Sequence, residues 1–470
     1  AHSYYPDYLW SDRDRIPLKN NPPVPGHASL STGADPQDPK SYEIFKGKDF
    51  SSDRINEQAL KFIKDNKDKP FFLYYPTLIP HVALHVPDDE LKPYLKLKWN
   101  DPPFTRSQGY GYTPHFTPRA AYAAMITRMD RYIGNLVKLI DQLGLTNDTI
   151  VIFTSDNGGM EGSSSQIITD NYPLDRGKIS LMEGGTRVPL IITGPDIPRG
   201  VESDVMVNGL DFYPTILGLT GTAPVDGKHL DGCDLTACLK QDPTDPALVH
   251  GADGSIRDTM VWHFPNSAAL ESTIRIGDYK LIRNYDHINN TKNSPLELYR
   301  LYRTENGLKK RVDIEEQNNL VISMPDKAST MDQRLTDILT EMNASYPYYN
   351  PYAQRAPPSK KKTPTIVSHE ENGDRVIFQL KNNGADIQRA DLIYTKNGGK
   401  RYEEWFRTTT TIKKNDTVVA KIPEGTTHFY LNVIDENQFL RSYPEVLDPK
   451  QPSKSKLKSY AQRALQPASN

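Results

Sequence analysis

Thr149–Gly159 reads TIVIFTSDNGG. Its first six residues are β-branched or aromatic, the composition of a buried strand. Ser155-Asp156-Asn157 then carries a carboxylate and an amide oxygen out of the strand end together, and Gly158-Gly159 lets the backbone turn sharply behind them. Oxygen donors emerging in that pattern suit a hard cation such as calcium. Asp, Asn and Gly also build ordinary turns, so the motif takes its meaning from what surrounds it.

On the upstream side, Thr117 can cap a helix that Pro118 opens. Ala121, Met125, Met129, Ile133, Leu136, Val137 and Ile140 follow at spacings of mostly three or four and mark one apolar face, with Gly144 as the stop. Further upstream, Ile55–Asn66 reads as a short amphipathic helix and Phe71–Tyr75 (FFLYY) as a buried strand after Pro70. Downstream, Val188–Thr193 (VPLIIT) is another strand. Helices alternating with strands predict an α/β fold, a mostly parallel sheet flanked by helices, with sites at the carboxyl ends of its strands. Residues 1–50, rich in Pro, Gly, Ser, Asp and Tyr, read as an extended surface segment.

The pattern loosens beyond residue 205. Asp211–Leu219 is a short helix, Thr273–Arg283 a hairpin with a Gly-Asp turn, Leu296–Tyr302 a strand and Met331–Met342 a helix. Tyr346–Pro364, with repeated Tyr and Pro and the run Lys360–Lys362, reads as a linker. About six strand-like runs follow, including Arg375–Leu380, Ala390–Thr395, Arg401–Thr408, Thr417–Ile422 and His428–Val433, which predicts a small all-β sandwich over 365–448. The Lys-, Ser-, Pro- and Gln-rich stretch from 449 reads as a flexible tail.

Composition narrows the function class. The 470 residues are 37% apolar and 25% charged, enough to bury a sizeable core. A net charge of −2 gives no argument for nucleic acid as a partner. No apolar run reaches the length of a transmembrane helix, about 18 residues. Cys233 and Cys238 fit no common zinc or redox spacing, and either one local disulfide or two thiols satisfies the sequence.

Two further signals carry chemistry. Arg176-Gly177-Lys178 precedes Met182-Glu183-Gly184-Gly185-Thr186-Arg187-Val188-Pro189, and a lysine beside glycine can approach a small oxyanion closely. Ile79-Pro80-His81 follows FFLYY, where a histidine can protonate a leaving group, and His85 competes for that role.

FFLYY…PH, IVIFTSDNGG and RGK…EGGTRVP, in that order, resemble the formylglycine-dependent type I sulfatases of the alkaline phosphatase superfamily, most of all bacterial members acting on sulfated carbohydrates. Lesser features of the likeness are TPRAAYAAMITRMDRYIG, the segment around IRIGDYKLI, and Leu298-Tyr299 followed by Gln317-Asn318-Asn319-Leu320. The resemblance implies that Asp156 and Asn157 supply half of a calcium site, that Lys178 binds sulfate, and that His81 contacts sulfate and protonates the leaving oxygen. His263, in Trp262-His263-Phe264-Pro265, resembles a position lining the substrate pocket. The family's nucleophile motif, Cys/Ser-x-Pro-x-Arg, is absent from this sequence, as are its paired N-terminal aspartates and Gly-Lys-Trp-His segment. Thr117-Pro118-Arg119 opens a helix and matches a different family segment.

The resemblance therefore implies a sulfuric ester hydrolase with a sulfated carbohydrate or aryl sulfate as substrate and a periplasmic or extracellular location. Its nucleophile is expected in an N-terminal segment that lies outside these residues, possible as a separate chain. The domains expected are a catalytic α/β domain over 1–205 and its remainder, with a C-terminal sheet subdomain, over 206–350. A linker over 351–364, the sandwich over 365–448 and the tail over 449–470 follow. An exposed apolar groove is expected where a first strand of the sheet belongs. A phosphodiesterase or phosphonate hydrolase of the same superfamily, and a non-catalytic binder of sulfated glycans, are the alternatives.

Overall fold

The computed structural model describes residues 3–23, 29–105, 112–160, 168–266, 270–287, 294–305, 308–353, 356–400, 402–445 and 459–468. Contacts divide the chain into two units. The first takes in Ala1–Trp262, Ile274–Lys280 and Leu298–Ser323; the second takes in His263–Thr273, Leu281–Glu297 and Met324–Asn470.

In the first unit, helices Ser51–Asn66, Asp88–Leu95 and Pro118–Gln142 enclose a core that includes Tyr4, Phe50, Leu84, Ala121 and Met125. The long helix begins with Pro118 at its first turn and stops before Gly144, whose φ of +73° suits a residue without Cβ. Its buried face runs through Ala121, Met125, Arg128, Tyr132 and Leu139, with the expected Met129 partly buried against the same core, whereas the expected Val137 is 48% exposed. Arg128 makes this possible. Its guanidinium lies 2.6 Å from Asp53 and 3.2 Å from Glu90 and over the Phe50 ring, so a charge sits on a face that hydropathy assigns to solvent.

Strands Val151–Thr154 and Leu190–Thr193 pair with Val151 opposite Thr193. The α/β class holds here, but this ladder is antiparallel and two-stranded, not part of a mostly parallel sheet. Parallel neighbours need a crossover of a dozen or more residues, usually a helix. Among the described residues between these strands the only helix is the four-residue turn Glu183–Thr186. Phe71–Tyr75, expected as a buried strand, is extended but unpaired. Its one backbone bond among the described residues is Thr77 N–H to Tyr75 O, and Phe72 and Tyr74 are 67% and 76% exposed. An apolar run confers a preference for extended chain, whereas a strand needs a hydrogen-bonded neighbour. Cys233 and Cys238 are free thiols packed with Leu235 and Val249.

The second unit carries the β-sandwich. One sheet orders Thr365–Asn372, Arg375–Lys381, Thr417–Lys421 and Thr411–Lys413; the other orders Trp405–Thr409, Ile387–Thr395, His428–Asp435 and Leu440–Tyr443. Every ladder in them is antiparallel, and alternate residues such as Val376, Phe378, Leu392, Val418, Phe429 and Leu431 meet in one core. Two segments expected to be loose are held. Tyr349, in the expected linker region, exchanges backbone bonds with Gln438 and Leu440. In the expected tail, Leu465 exchanges backbone bonds with Phe429 and Ala461 is buried, while 449–458 lie outside the described residues.

Candidate active site

Two loops of the first unit interlock through glycines. Gly158 N–H donates to Gly185 O at 3.0 Å, and Lys178 N–H to Gly159 O at 2.9 Å. A Cβ on Gly158 would stand 1.7 Å from Gly184 O, one on Gly184 2.1 Å from Arg176 O, and one on Gly185 2.0 Å from Ser180 O. Only bare backbone fits at all three. The Asn171 amide adds a stitch, donating to Gly159 O at 3.0 Å and Arg176 O at 2.9 Å. Asp156-Asn157 and Lys178 are thereby held beside each other although they are 21 positions apart. Ile179, next to the lysine, adopts φ +74°, a conformation costly for a β-branched residue and the kind of strain that gathers at functional sites.

His81 completes the group. Burial pushes its imidazole below the ordinary value and the Val82 carbonyl opposes this. The Lys178 ammonium deepens the fall and the Asp156 carboxylate counters it, so both charges lie within electrostatic reach of the ring. The Nδ1–H is donated to Val82 O. Nε2 is then the nitrogen left to exchange a proton with a substrate. The Tyr112 ring stands edge-on at 5.8 Å. The fully buried Tyr4 shares its hydroxyl hydrogen between Leu78 O and His81 O, at 2.7 and 2.8 Å, and so fixes the backbone that carries the histidine. Asp156 and Lys178 make no ion pair among the described residues, which leaves both free for a ligand.

Behind this group lies a buried charge network that the motif reading did not find. Lys280, fully buried, places its ammonium 3.0 Å from Glu183 and 2.9 Å from Glu316. Arg187 closes on Glu183 at 2.6 Å. Burial would raise the Glu183 carboxyl, yet Lys280 and Arg187 hold it down at about 2; burial wins at Glu316, whose pKa is raised. Glu183 begins the turn that presents Gly184 and Gly185, so the network fixes the loop from behind. Its members sit in IRIGDYKLI and beside Gln317-Asn318, segments that carried the resemblance without an assigned role.

His85 is no rival to His81: it is 3% exposed, and burial pushes its pKa to about 3. His263 lies in the second unit, where Nδ1 meets Ser272 Oγ at 2.6 Å and Nε2 meets Ser345 O at 2.9 Å, with Tyr285 and Tyr346 around the ring. Both nitrogens are spent on the protein itself. For a metal, Asp156 and Asn157 offer oxygen donors, the chemistry of a hard cation. The Asn157 amide N–H leans on Asp156 Oδ1 at 2.8 Å, which leaves the other oxygens available. Among the described residues no group of three His, Cys, Asp or Glu side chains could hold a metal, so the pair fits as part of a ligand set and not as a whole one. No described helix is long and apolar enough to cross a membrane.

Residues 17–222 match the sulfatase family profile. The chain is similar to a sulfatase of Formosa agariphila, 28% identical over 342 residues that cover 66% of this chain and 54% of that protein. It is similar also to the N-acetylgalactosamine-6-sulfatase of Canis lupus familiaris, 28% identical over 48% of this chain and 36% of that one. Among solved structures, Ps i-CgsB aligns over 63% of this chain and 55% of its own at 26% identity, with a TM-score of 0.47. The chain thus spans about half, or less, of the length of the curated relatives it matches.

Proposed function

We propose, from the premise that this chain belongs to the sulfatase family, that the whole protein hydrolyses sulfate esters of carbohydrates. The observation that carries the reading is the glycine-locked pair of loops that holds Asp156-Asn157 beside Lys178. Lys178 would take the sulfate oxygens as a point charge and offset the charge that develops on them. His81, its Nδ1 committed to Val82 O, would use Nε2 to hand a proton to the leaving alcohol oxygen. Asp156 and Asn157 would hold part of a calcium ion's ligand set. When present, the ion would supply positive charge, and a formylglycine hydrate a nucleophilic oxygen for sulfur. That nucleophile would come from outside residues 1–470, which contain no Cys/Ser-x-Pro-x-Arg motif. The sugar substrate rests on the curated relative that is an N-acetylgalactosamine-6-sulfatase. A polymeric substrate would also place the protein outside the cytoplasm, which cell fractionation checks. No observation favours the phosphonate or glycan-binding alternatives.

The test is sulfate release by the whole protein from an aryl sulfate and from sulfated oligosaccharides. Lys178→Ala should lower kcat/KM about 10²- to 10³-fold, the usual effect of removing one group that meets developing oxyanion charge. Wild-type rates in both Lys178→Ala and His81→Ala would refute the assignment.

A further inference from the structure

We infer that the first unit carries a second anion site, in which Arg275 and Lys309, beside the Tyr302 ring, take a tetrahedral oxyanion such as sulfate or phosphate. Three cations surround that ring. The Arg275 guanidinium stands 5.2 Å from its centroid, Arg187 5.6 Å and the Lys309 ammonium 5.8 Å. All four residues belong to the first unit. Cations gathered this closely repel one another, and one aromatic ring offsets only part of that.

The neighbouring carboxylates are committed elsewhere. Glu183 holds Arg187 and Lys280, and Glu316 holds Lys280. Asp278 accepts from the Thr304 N–H at 3.2 Å and from its hydroxyl at 3.4 Å. Asp278 acts on both Arg275 and Lys309 through space, and Asp204 on Lys309, yet neither forms an ion pair with them among the described residues. Arg275 is the telling case. It is 7% exposed, and its single hydrogen bond runs from Nε to Gly277 O at 3.4 Å. The other buried cations differ: Arg128 and Lys280 each hold two carboxylates. The Arg275 Nη groups have no protein partner and are not sealed from solvent, so an anion can reach them. A buried guanidinium without a counter-ion departs from the rule that buried charges are paired. Burial pushes Arg275 and Lys309 below their ordinary values, and the neighbouring cations add to the fall. A bound anion would reverse it.

Strand alternation delivers the arrangement. Tyr302–Glu305 and Leu308–Arg311 pair with Tyr302 opposite Arg311 and Thr304 opposite Lys309, which puts Tyr302, Lys309 and Arg311 on one face. On the opposite face Arg303 and Lys310 both close on Glu305 at 2.8 Å. One face of the hairpin is neutralised and the other is left charged. The guanidinium fork can take two oxygens and the ammonium a third, which a tetrahedral oxyanion offers and a carboxylate does not. None of these residues belongs to the His81, Asp156, Asn157 and Lys178 group, so the inference stands apart from the sulfate-ester reading. The oxyanion can arrive as a free ion or as a group on a polymer.

The test is calorimetric titration of residues 1–470 carrying Lys178→Ala, which removes the other expected sulfate contact. Sodium sulfate, sodium phosphate, sodium acetate and dextran sulfate are compared at constant ionic strength. Sulfate or phosphate should bind at one site about tenfold more tightly than acetate. Lys309→Gln should weaken that binding at least about tenfold, the worth of one charge-assisted hydrogen bond. Arg275→Lys, which keeps the charge and gives up the fork, should weaken it as well. Lys309→Gln lies on a hairpin at the surface and decides the matter even where Arg275→Lys fails to fold. Dextran sulfate binding more tightly than the free ions, with the same loss in Lys309→Gln, identifies a polymer-borne group as the source; tight binding of the free ions alone identifies a free ion. No binding of any of the oxyanions, binding indifferent to Lys309→Gln, or acetate binding as tightly as sulfate and phosphate would each overturn the proposal.

Discussion

Lys280 offers the sharpest test at the scale of one residue. Two carboxylates share its ammonium in a place without solvent. Lys280→Met keeps the length of the side chain and removes the charge, leaving Glu316 uncompensated and Glu183 with Arg187 as its remaining cation. The loss should be about 3 to 5 kcal/mol, read from the denaturant midpoint. A loss below about 1 kcal/mol would mean that the carboxylates find water or protonate freely. His85 and His115 make a pH prediction whose sign follows from their direction. Both folded-state values lie below the ordinary 6.5, so the unfolded chain takes protons that the folded chain refuses. Their stability contribution is complete above pH 6.5 and drains away as pH falls from there toward about 4 and about 3. Unfolding midpoints measured between pH 7.5 and 4.5 should drop, and His85→Asn, whose amide never charges, should flatten part of that slope. An unchanged slope in the variant would show that other groups dominate acid unfolding.

At the scale of elements, the glycine-locked loops and the long helix give opposite expectations for the same substitution. Gly158→Ala drives a methyl onto Gly184 O and should cost roughly 3 kcal/mol or more, with loss of whatever Asp156 and Lys178 bind. Gly134→Ala, inside Pro118–Gln142 with open space where the Cβ would go, should stabilise by about 0.5 to 1 kcal/mol. Paired thermal melts of the two variants check both signs. The same elements show how far the sequence could be read. SDNGG and RGK were legible as candidate site segments because carboxylate, amide and glycine types suit a hard cation and a lysine beside glycine suits a small oxyanion. The contact that joins them was not legible, since it consists of backbone oxygens meeting absent side chains. The long helix was found by its spacing, and Ala121, Met125 and Met129 do face the core, but Arg128 was missed on that face because it reads as polar until Asp53 and Glu90 are seen around it. The sandwich was legible nearly strand by strand, its alternation being complete. Leu465 against Phe429 was not, because one apolar residue in a polar tail carries no period.

At the scale of the whole molecule, the sandwich and the candidate site fall in different units. The candidate site residues His81, Asp156, Asn157 and Lys178 all belong to the first unit, and the sandwich to the second. Removing residues 365–470 from the whole protein should leave measurable turnover of an aryl sulfate, and loss of all activity in a deletion product that remains folded would contradict this. Residues 1–470 by themselves should release no sulfate at an enzymatic rate, because on the proposed reading Lys178 and His81 would hold an anion while the sequence contains no Cys/Ser-x-Pro-x-Arg motif to supply the attacking nucleophile. Strong turnover by the purified chain would reveal a nucleophile elsewhere in it.

The unpaired strip Phe71–Tyr75 has a consequence for how the chain behaves in a tube. Extended backbone with unspent N–H and C=O groups, flanked by the bare rings of Phe72 and Tyr74, is adhesive toward any similar strip. Solutions of residues 1–470 should scatter more light per unit mass as they are concentrated, and salt should aggravate the clumping. Charged gatekeepers at these two positions, Phe72→Lys with Tyr74→Glu, should keep the preparation clear.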